Sequence, residues 1–107
     1  MSYTFDAYED ERLVAQGDCH DEDTLLVVGA LGLAGEVGEV VELVKKYRFH
    51  NKKLEAARVI EELGDVLWYI MYTANAVGST LAEVAEVNNN KLRKRYPDGF
   101  RPESKHE

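Results

Sequence analysis

Proline is absent from the first 96 residues of the chain, and this absence constrains the fold most. The two prolines, Pro97 and Pro102, both lie near the C-terminus. Because proline in a helix interior breaks the hydrogen-bond ladder, every segment before Pro97 can form uninterrupted helix. Apolar residues between positions 24 and 47 recur at helical spacing, and strand-like alternation is rare throughout. The chain is therefore predicted to be all-α.

Four helices are predicted from this periodicity and from capping residues. Their approximate bounds are Phe5 to Gln16, Thr24 to Tyr47, Leu54 to Val77, and Thr80 to Arg95. The predicted N-caps are Ser2 or Thr4, Asp21 or Asp23, Asn51, and Thr80, the last with Glu83 as a capping box. Gly17 with Asp18 is expected to end the first helix and Gly78 the third, and residues 96–100 are expected to form a turn before a polar tail.

Length and composition limit the class of protein. The 107 residues amount to about one domain, so residues 1–107 are treated as a single globular domain. No uninterrupted apolar run approaches the roughly 20 residues of a membrane-spanning helix, and no basic-then-apolar signal sequence opens the chain. We therefore expect a cytoplasmic protein that does not associate with a membrane. The lone Cys19 excludes an internal disulfide and a cysteine-built zinc site.

The charge distribution argues against a general nucleic-acid-binding protein. The formal net charge is −7, whereas affinity for nucleic acids comes from Lys and Arg side chains that neutralise phosphates. The basic residues are concentrated between Lys45 and Arg58 and again between Lys91 and Arg95. These clusters are either ordinary solvated helix faces or local positive sites for a small anionic ligand.

Two carboxylate pairs stand at the margins of the apolar stripes. Glu36 and Glu39 are three residues apart on the second helix, and Glu62 and Asp65 repeat this spacing on the third. Residues three apart project from one helix face, so both pairs are expected to point partly inward. Converging carboxylates cannot all remain ionised without compensation, so either some of them take up protons or a cation joins them.

Oxygen-only ligands without nearby Cys or His suit Mg²⁺ or Mn²⁺ better than zinc. A Mg²⁺ ion held by few carboxylates keeps coordination positions for water and for substrate phosphate. Alternatively, an E-x-x-E pair on a helix is simply a solvated face. Periodicity alone leaves both interpretations open.

Glycines interrupt the second helix at intervals of three residues. Gly29 and Gly32 share the face of Glu36, and Gly35 and Gly38 continue the series. Each glycine costs about 0.5–1 kcal/mol relative to alanine in a helix interior, so the series needs a reason. That reason is either a close helix crossing or room for a ligand beside Glu36.

Polar residues on the fourth helix offer a second binding surface. Asn88, Lys91 and Arg95 fall on one helix face, which either contacts phosphates or complements the helix dipole at its C-terminal end. The aromatic residues of the third helix are expected to be core residues rather than a base-stacking cage: Trp68, Tyr69 and Tyr72.

Three stretches of the chain match one family pattern. They are GLAGEVGEVVE at residues 32–42, EELGDVLWY at residues 61–69, and N-x-x-K followed by RYPDGF between Asn88 and Phe100. Together they resemble the MazG-like nucleotide pyrophosphohydrolases of the all-α NTP pyrophosphatase group. The resemblance covers the chain from about residue 25 to residue 100.

This resemblance implies a four-helix bundle completed by homo-oligomerisation, as a dimer or a tetramer. It implies Mg²⁺-dependent hydrolysis of a (d)NTP to the (d)NMP and pyrophosphate, with Mn²⁺ as a substitute, in nucleotide-pool housekeeping. The implied metal ligands, which are also the implied catalytic residues, are Glu36, Glu39, Glu62 and Asp65. The implied substrate contacts are Asn88, Lys91, Arg95 and Tyr96.

One position departs from the family pattern. Many relatives carry a further glutamate where this chain has Gly35, so the general base stays open among Glu36, Glu61 and a metal-bound hydroxide. Two alternatives to an enzyme are a non-catalytic helical regulator and a protein that binds Mg²⁺–NTP without turnover. The complete set of four acids favours the enzyme.

The third helix is apolar around most of its circumference between Val66 and Val77. One small chain is not expected to cover such a helix, and an exposed apolar patch of this kind is avoided by most monomers. We therefore expect a homo-oligomer, most simply a C₂ dimer with the second and third helices near the two-fold axis. Periodicity does not decide whether Ile70 or Met71 faces the partner.

Overall fold

The computed structural model describes residues 2–16 and 21–99 and, within them, the side chains of residues 2–11 and 21–99. This part of the chain is all-helical, which confirms the predicted fold class. The four helices are α1 (Phe5–Gln16), α2 (Glu22–Phe49), α3 (Ala56–Ala76) and α4 (Leu81–Arg95). Helix α2 is longer than predicted at both ends, and α3 is shorter at both ends.

Side-chain caps begin three of the helices. The Thr4 hydroxyl accepts a hydrogen bond from the Ala7 N–H at 3.0 Å, and the Asp21 carboxylate accepts from the Thr24 N–H at 2.8 Å. Thr80 accepts from the Glu83 N–H at 3.1 Å, as predicted. The Glu83 carboxylate, however, accepts from the Ser79 hydroxyl, so the second bond of a capping box to the Thr80 N–H is replaced.

The predicted cap of the third helix is wrong. Asn51 adopts a positive φ of 56° in the loop after α2, and Glu55 occupies the N-cap position of α3 without a side-chain cap hydrogen bond. Asparagine tolerates this left-handed conformation better than most residues. Asn51 therefore helps to reverse the chain and does not start the helix.

Helices α2 and α3 form an antiparallel hairpin that is the centre of the structure. A Cβ atom at Gly29 would lie 2.5 Å from the Thr73 hydroxyl and 3.0 Å from the Thr73 backbone nitrogen. A Cβ atom at Gly32 would overlap the Tyr69 ring. These contacts confirm the close helix crossing at Gly29 and Gly32, whereas Gly35 and Gly38 face open space.

Helices α1 and α4 meet at one end of this hairpin. Glu9 of α1 is 9% exposed, and its carboxylate accepts hydrogen bonds from the Leu81 N–H at 2.7 Å and from the Asn75 side-chain amide at 3.1 Å. It thereby joins α1, the last turn of α3 and the first turn of α4. Gly78, with φ 79°, lies just beyond the end of α3, as predicted.

The buried apolar core is small and lies close to this junction. Its members in the described part of the chain are Met71, Ala74, Ala76 and Leu81. Met71 is fully buried by its own chain. Met71 therefore cannot face a partner subunit. Of the two positions that periodicity left open, Ile70 and Met71, this excludes Met71.

Large apolar side chains are exposed mainly on the outer side of the hairpin. On α2 and on the first turns of α3 they include Val27, Leu31, Val37, Val41, Val44, Ile60 and Leu63. The predicted location of the exposed patch, Val66 to Val77, is wrong, because these residues are buried or half-buried up to Ala76. Packing of α2 along α3, with further contacts from α1 and α4 at this end of α3, accounts for the difference.

By length and composition alone, α2 is apolar enough to cross a membrane, with a mean hydropathy of 1.7 in its most apolar window. The expectation that no apolar run is long enough to span a membrane is wrong for α2 by this measure, because it counted only runs uninterrupted by charge. Glu36 and Glu39 interrupt the apolar sequence of α2, but the mean hydropathy of its most apolar window stays in the range of membrane-spanning helices. One such helix is weak evidence for a membrane span, since a helix packed inside a protein passes the same test.

The chain turns immediately after α4. The Gly99 N–H donates to the Tyr96 carbonyl at 3.0 Å, and Gly99 has φ 90°, which glycine adopts without strain. The predicted turn is confirmed as far as Gly99. The predicted end of α1 at Gly17 and Asp18, the last turn residue Phe100 and the polar tail lie outside the described residues.

We expect Gly29→Ala to destabilise the protein by about 1–3 kcal/mol, because the new methyl group would press on the Thr73 backbone. Gly38→Ala is the matched control on the same helix. It should stabilise the protein by about 0.5–1 kcal/mol, since alanine favours helix and the position is open. Urea denaturation of both variants measures the difference, and equal effects of the two substitutions would contradict the crossing.

Candidate metal centre between α2 and α3

The crossing of α2 and α3 brings carboxylates from the two helices together. Glu36 follows Gly32 by four residues on α2, and Asp65 precedes Tyr69 by four residues on α3. Residues four apart lie on one helix face. The contact between Gly32 and Tyr69 therefore carries Glu36 and Asp65 towards each other one turn further along the hairpin.

Three carboxylates converge at this point. One oxygen each of Glu36, Glu62 and Asp65 can be chosen so that all three atoms lie within 4.8 Å of one another. The Glu62 side chain is only 12% exposed, Glu36 is half-buried and Asp65 is exposed. The group is thus open to solvent on one side and enclosed by helices on the other.

The charges in this group oppose one another. Burial, and then the negative charges of Asp65, Glu62 and Glu39, raises the pKa of Glu36 above its ordinary value. The Arg58 guanidinium lies 3.2 Å from a Glu62 oxygen and offsets part of the charge. A divalent cation would relieve the remaining repulsion, and the all-oxygen donor set is the kind that Mg²⁺ and Mn²⁺ accept.

Glu39 is the predicted ligand that lies outside the three-carboxylate group. Its side chain is exposed, yet its charge contributes to the raised pKa of Glu36. The structure therefore brings together three of the four predicted ligands and places the fourth nearby. Their assignment as metal ligands and catalytic residues stays a prediction.

Tyr8 of α1 is a neighbour of the group that the sequence did not indicate. Its pKa is raised by burial, by the charge of Asp65 and by Tyr3. Its ring contacts Trp68 edge to face, with centroids 6.3 Å apart. Helix α1 has no clear apolar stripe, so no pattern in the sequence placed Tyr8 beside a carboxylate.

The aromatic residues of α3 pack on one another and on α2. Trp68 and Tyr72 have ring centroids 5.5 Å apart, and Tyr69 and Tyr72 have centroids 5.9 Å apart. Tyr69 also covers Gly32. All three side chains are half-buried, which agrees with the expectation that they are packing residues.

The predicted substrate contacts lie on α4 and in the turn after it. Asn88 and Lys91 line an apolar groove of about 590 Å³ between α3 and α4, together with Leu67 and Ile70. By helical spacing, Leu67 lies on the opposite face of α3 from Glu62 and Asp65, and Ile70 lies on the flank next to Leu67. The groove is thus on the other side of α3 from the carboxylate group.

The two remaining predicted contacts are also remote from the group along the chain. Arg95 is exposed at the end of α4, and Tyr96 lines a shallow pocket with Leu92 and Arg93. The contacts described for the three carboxylates come instead from α1, α2 and α3. Substrate binding by Asn88, Lys91, Arg95 and Tyr96 stays a prediction.

We expect Glu36→Gln to raise the melting temperature of the metal-free protein at pH 7. The raised pKa of Glu36 means that its ionised form is disfavoured in the folded state, so its destabilising effect grows as the pH rises through that pKa. The gain should vanish at acidic pH, where Glu36 is protonated in both the folded and unfolded states.

Glu42→Gln is the control for this substitution, since Glu42 lies on the same helix but pairs with Lys45 at 3.7 Å. It should give no gain at pH 7. Thermal denaturation of both variants in chelator between pH 4 and pH 8 makes the comparison, and a lower melting temperature for Glu36→Gln at pH 7 would contradict the repulsion.

Comparison with known proteins agrees with the motifs and their placement. Residues 28–100 match the model of the MazG nucleotide pyrophosphohydrolase domain. The chain is also 36% identical over 92 residues to the Gene 37 protein of Mycobacterium phage L5, a match that covers 78% of this chain and 75% of the phage protein. No solved structure matches significantly. The matched segment holds α3, α4, most of α2 and all three clustered carboxylates, and the chain therefore belongs to the MazG nucleotide pyrophosphohydrolase family.

Proposed function

We propose that the protein is a divalent-cation-dependent nucleoside triphosphate pyrophosphohydrolase. It would hydrolyse a (d)NTP between the α and β phosphates and release the (d)NMP and pyrophosphate. The observation that carries this proposal is the convergence of Glu36, Glu62 and Asp65 from two helices in a chain of the MazG family.

The residues present fit a hard cation such as Mg²⁺, with Mn²⁺ as a substitute. The donors are carboxylate oxygens, and the raised pKa of Glu36 indicates negative charge that the protein alone does not balance. We propose that Glu36, Glu62 and Asp65 hold the cation and that Glu39 joins them. When bound, the cation would neutralise charge on the phosphates and orient the attacking water.

The side chains around the group have separate tasks in this proposal. Tyr8 lies near Asp65 and packs edge to face on Trp68, and we propose that these rings limit the access of bulk water from that side. No described contact chooses between Glu36 and Glu61 as the carboxylate that takes the proton from the attacking water. Gly35, in open space beside Glu36, leaves no side chain in the place where relatives carry a further glutamate.

The test is product analysis with the common NTPs and dNTPs. We expect at least one nucleotide to give the monophosphate and pyrophosphate in Mg²⁺ and none to react in chelator, as measured by ion-exchange chromatography. Diphosphate with orthophosphate, or no turnover of any nucleotide, would contradict the proposal. Binding of Mg²⁺–nucleotide without turnover would instead support a sequestering protein.

Two variants test the ligand assignment in the same assay. Asp65→Asn and Glu39→Gln keep side-chain volume but remove an anionic ligand, so each should lower turnover by at least about 10- to 100-fold, the loss that follows when even an outer partner of a metal ligand is removed, while helix content by circular dichroism is unchanged. Glu42→Gln, which removes a carboxylate paired with Lys45, should keep near-native turnover. Near-native activity of either ligand variant at saturating Mg²⁺ would overturn that ligand.

We also propose that the protein is a homo-oligomer, a dimer or a tetramer, built on the exposed apolar face of the hairpin. Leu31 is 70% exposed and Ile60 is 68% exposed, and other large apolar side chains of α2 and α3 are also exposed. A soluble monomer rarely leaves so many large apolar side chains of one helix pair in water. Lys91 lies across α3 from the carboxylates of its own chain. We therefore also propose that association of copies brings basic side chains of one copy, which would bind the substrate phosphates, close to the carboxylates of another.

We expect Leu31→Lys to reduce both oligomer and activity, because the charge would be buried in the seam. Its side chain is largely exposed within one chain, so the monomer fold should survive. Asn90→Lys, on the polar outer surface of α4, is the control and should leave both unchanged. Light scattering and the pyrophosphate assay make the comparison; a fully active wild-type monomer at micromolar concentration would overturn the proposal.

A further inference from the structure

Arg58 is placed where the rules of helix stability disfavour it. It is the third residue of α3, and a cation in the first turn opposes the positive end of the helix dipole. It also precedes its partner Glu62 by four residues, which is the weaker orientation of an i,i+4 ion pair. Helix stability therefore does not explain the pair.

The carboxylate group offers the better explanation. The Arg58 guanidinium lies 3.2 Å from Oε1 of Glu62, and that carboxylate is 12% exposed and has an oxygen within 4.8 Å of both Glu36 and Asp65. Among the described residues, Arg58 is the cation that forms an ion pair with this group. Its own side chain is 56% exposed, so it can leave Glu62 for water at little cost.

We propose that Arg58 is a built-in counter-ion of the metal centre that competes with the divalent cation for Glu62. While the centre lacks a metal ion, Arg58 offsets the repulsion among the carboxylates. When the cation binds, it must displace or repel the guanidinium, so Arg58 lowers the affinity of the centre. Arg58 is thus a positioning residue that sets the cation concentration at which the centre fills. The inference rests on the proposed function, because it assumes that Glu62 is a metal ligand.

Equilibrium binding of Mn²⁺ without nucleotide tests this inference. Arg58→Met keeps the aliphatic part of the side chain and removes the charge, and the free Mn²⁺ signal in electron paramagnetic resonance gives the dissociation constant. We expect Arg58→Met to bind Mn²⁺ about two- to fivefold more tightly than the wild type, as for the loss of one partly exposed charge interaction. Arg58→Lys, which keeps the charge, should stay closer to the wild type.

Lys45→Met is the matched control. It removes the same charge from a cation that pairs with Glu42 at 3.7 Å, so any effect of net charge alone would appear there. The ratio of the wild-type and Arg58→Met dissociation constants should also shrink as salt is raised, because added ions screen the guanidinium. Arg58→Gln is the second variant if Arg58→Met loses helix content by circular dichroism.

The outcomes separate this inference from the proposed function. Tighter binding by Arg58→Met and not by Lys45→Met supports the counter-ion. Unchanged or weaker Mn²⁺ binding by Arg58→Met overturns the counter-ion role of Arg58. If the wild type still binds Mn²⁺ in that experiment, the proposed metal centre is retained. If the wild type binds no Mn²⁺, the result contradicts the proposed metal centre and, with it, the proposed counter-ion role of Arg58.

Discussion

The close approach of α2 and α3 at Gly29 and Gly32 is the contact on which the rest of the structure depends. Without side chains at these positions, the α2 backbone reaches Thr73 and the Tyr69 ring directly. One turn further along, the same approach places Glu36 opposite Glu62 and Asp65. A wider separation of the two helices would let these carboxylates turn to water. The glycines therefore lower intrinsic helix stability, and their position forms the candidate site.

The carboxylate group is a local conflict that the surrounding residues moderate. Burial and three neighbouring negative charges raise the pKa of Glu36, while Arg58 pairs with Glu62. A purely structural helix pair would have apolar residues at these positions, which pack without repulsion. Retaining like charges at a helix crossing favours a binding role, since a bound cation turns the repulsion into coordination.

The remaining helices cover the hairpin unevenly. Glu9 links α1 to the start of α4 by accepting from the Leu81 N–H and the Asn75 amide, and Tyr8 on the adjacent position brings an aromatic ring beside Asp65. Within residues 2–11 and 21–99, the outer face of α2 receives no comparable cover and keeps apolar residues such as Leu31 in solvent. This uneven coverage is the physical basis for the proposed association of copies.

The sequence by itself determined the helical class, the bounds of α1 and α4, and the four carboxylates from which the cluster of three is drawn. Helical periodicity, capping residues and the spacing of acids on one face are local properties, and local properties are readable from one chain. The sequence also indicated that the glycines of α2 mark either a close helix crossing or room for a ligand, but it did not distinguish the two.

Only the tertiary structure decided that Gly29 and Gly32 mark the crossing, that Glu39 stays outside the group, and that Arg58 and Tyr8 reach it. It also buried Met71 within the chain and moved the exposed apolar face to α2. Such features depend on the rotation and separation of helices about each other. Those are set by the summed packing of distant side chains, and no spacing along the sequence encodes them.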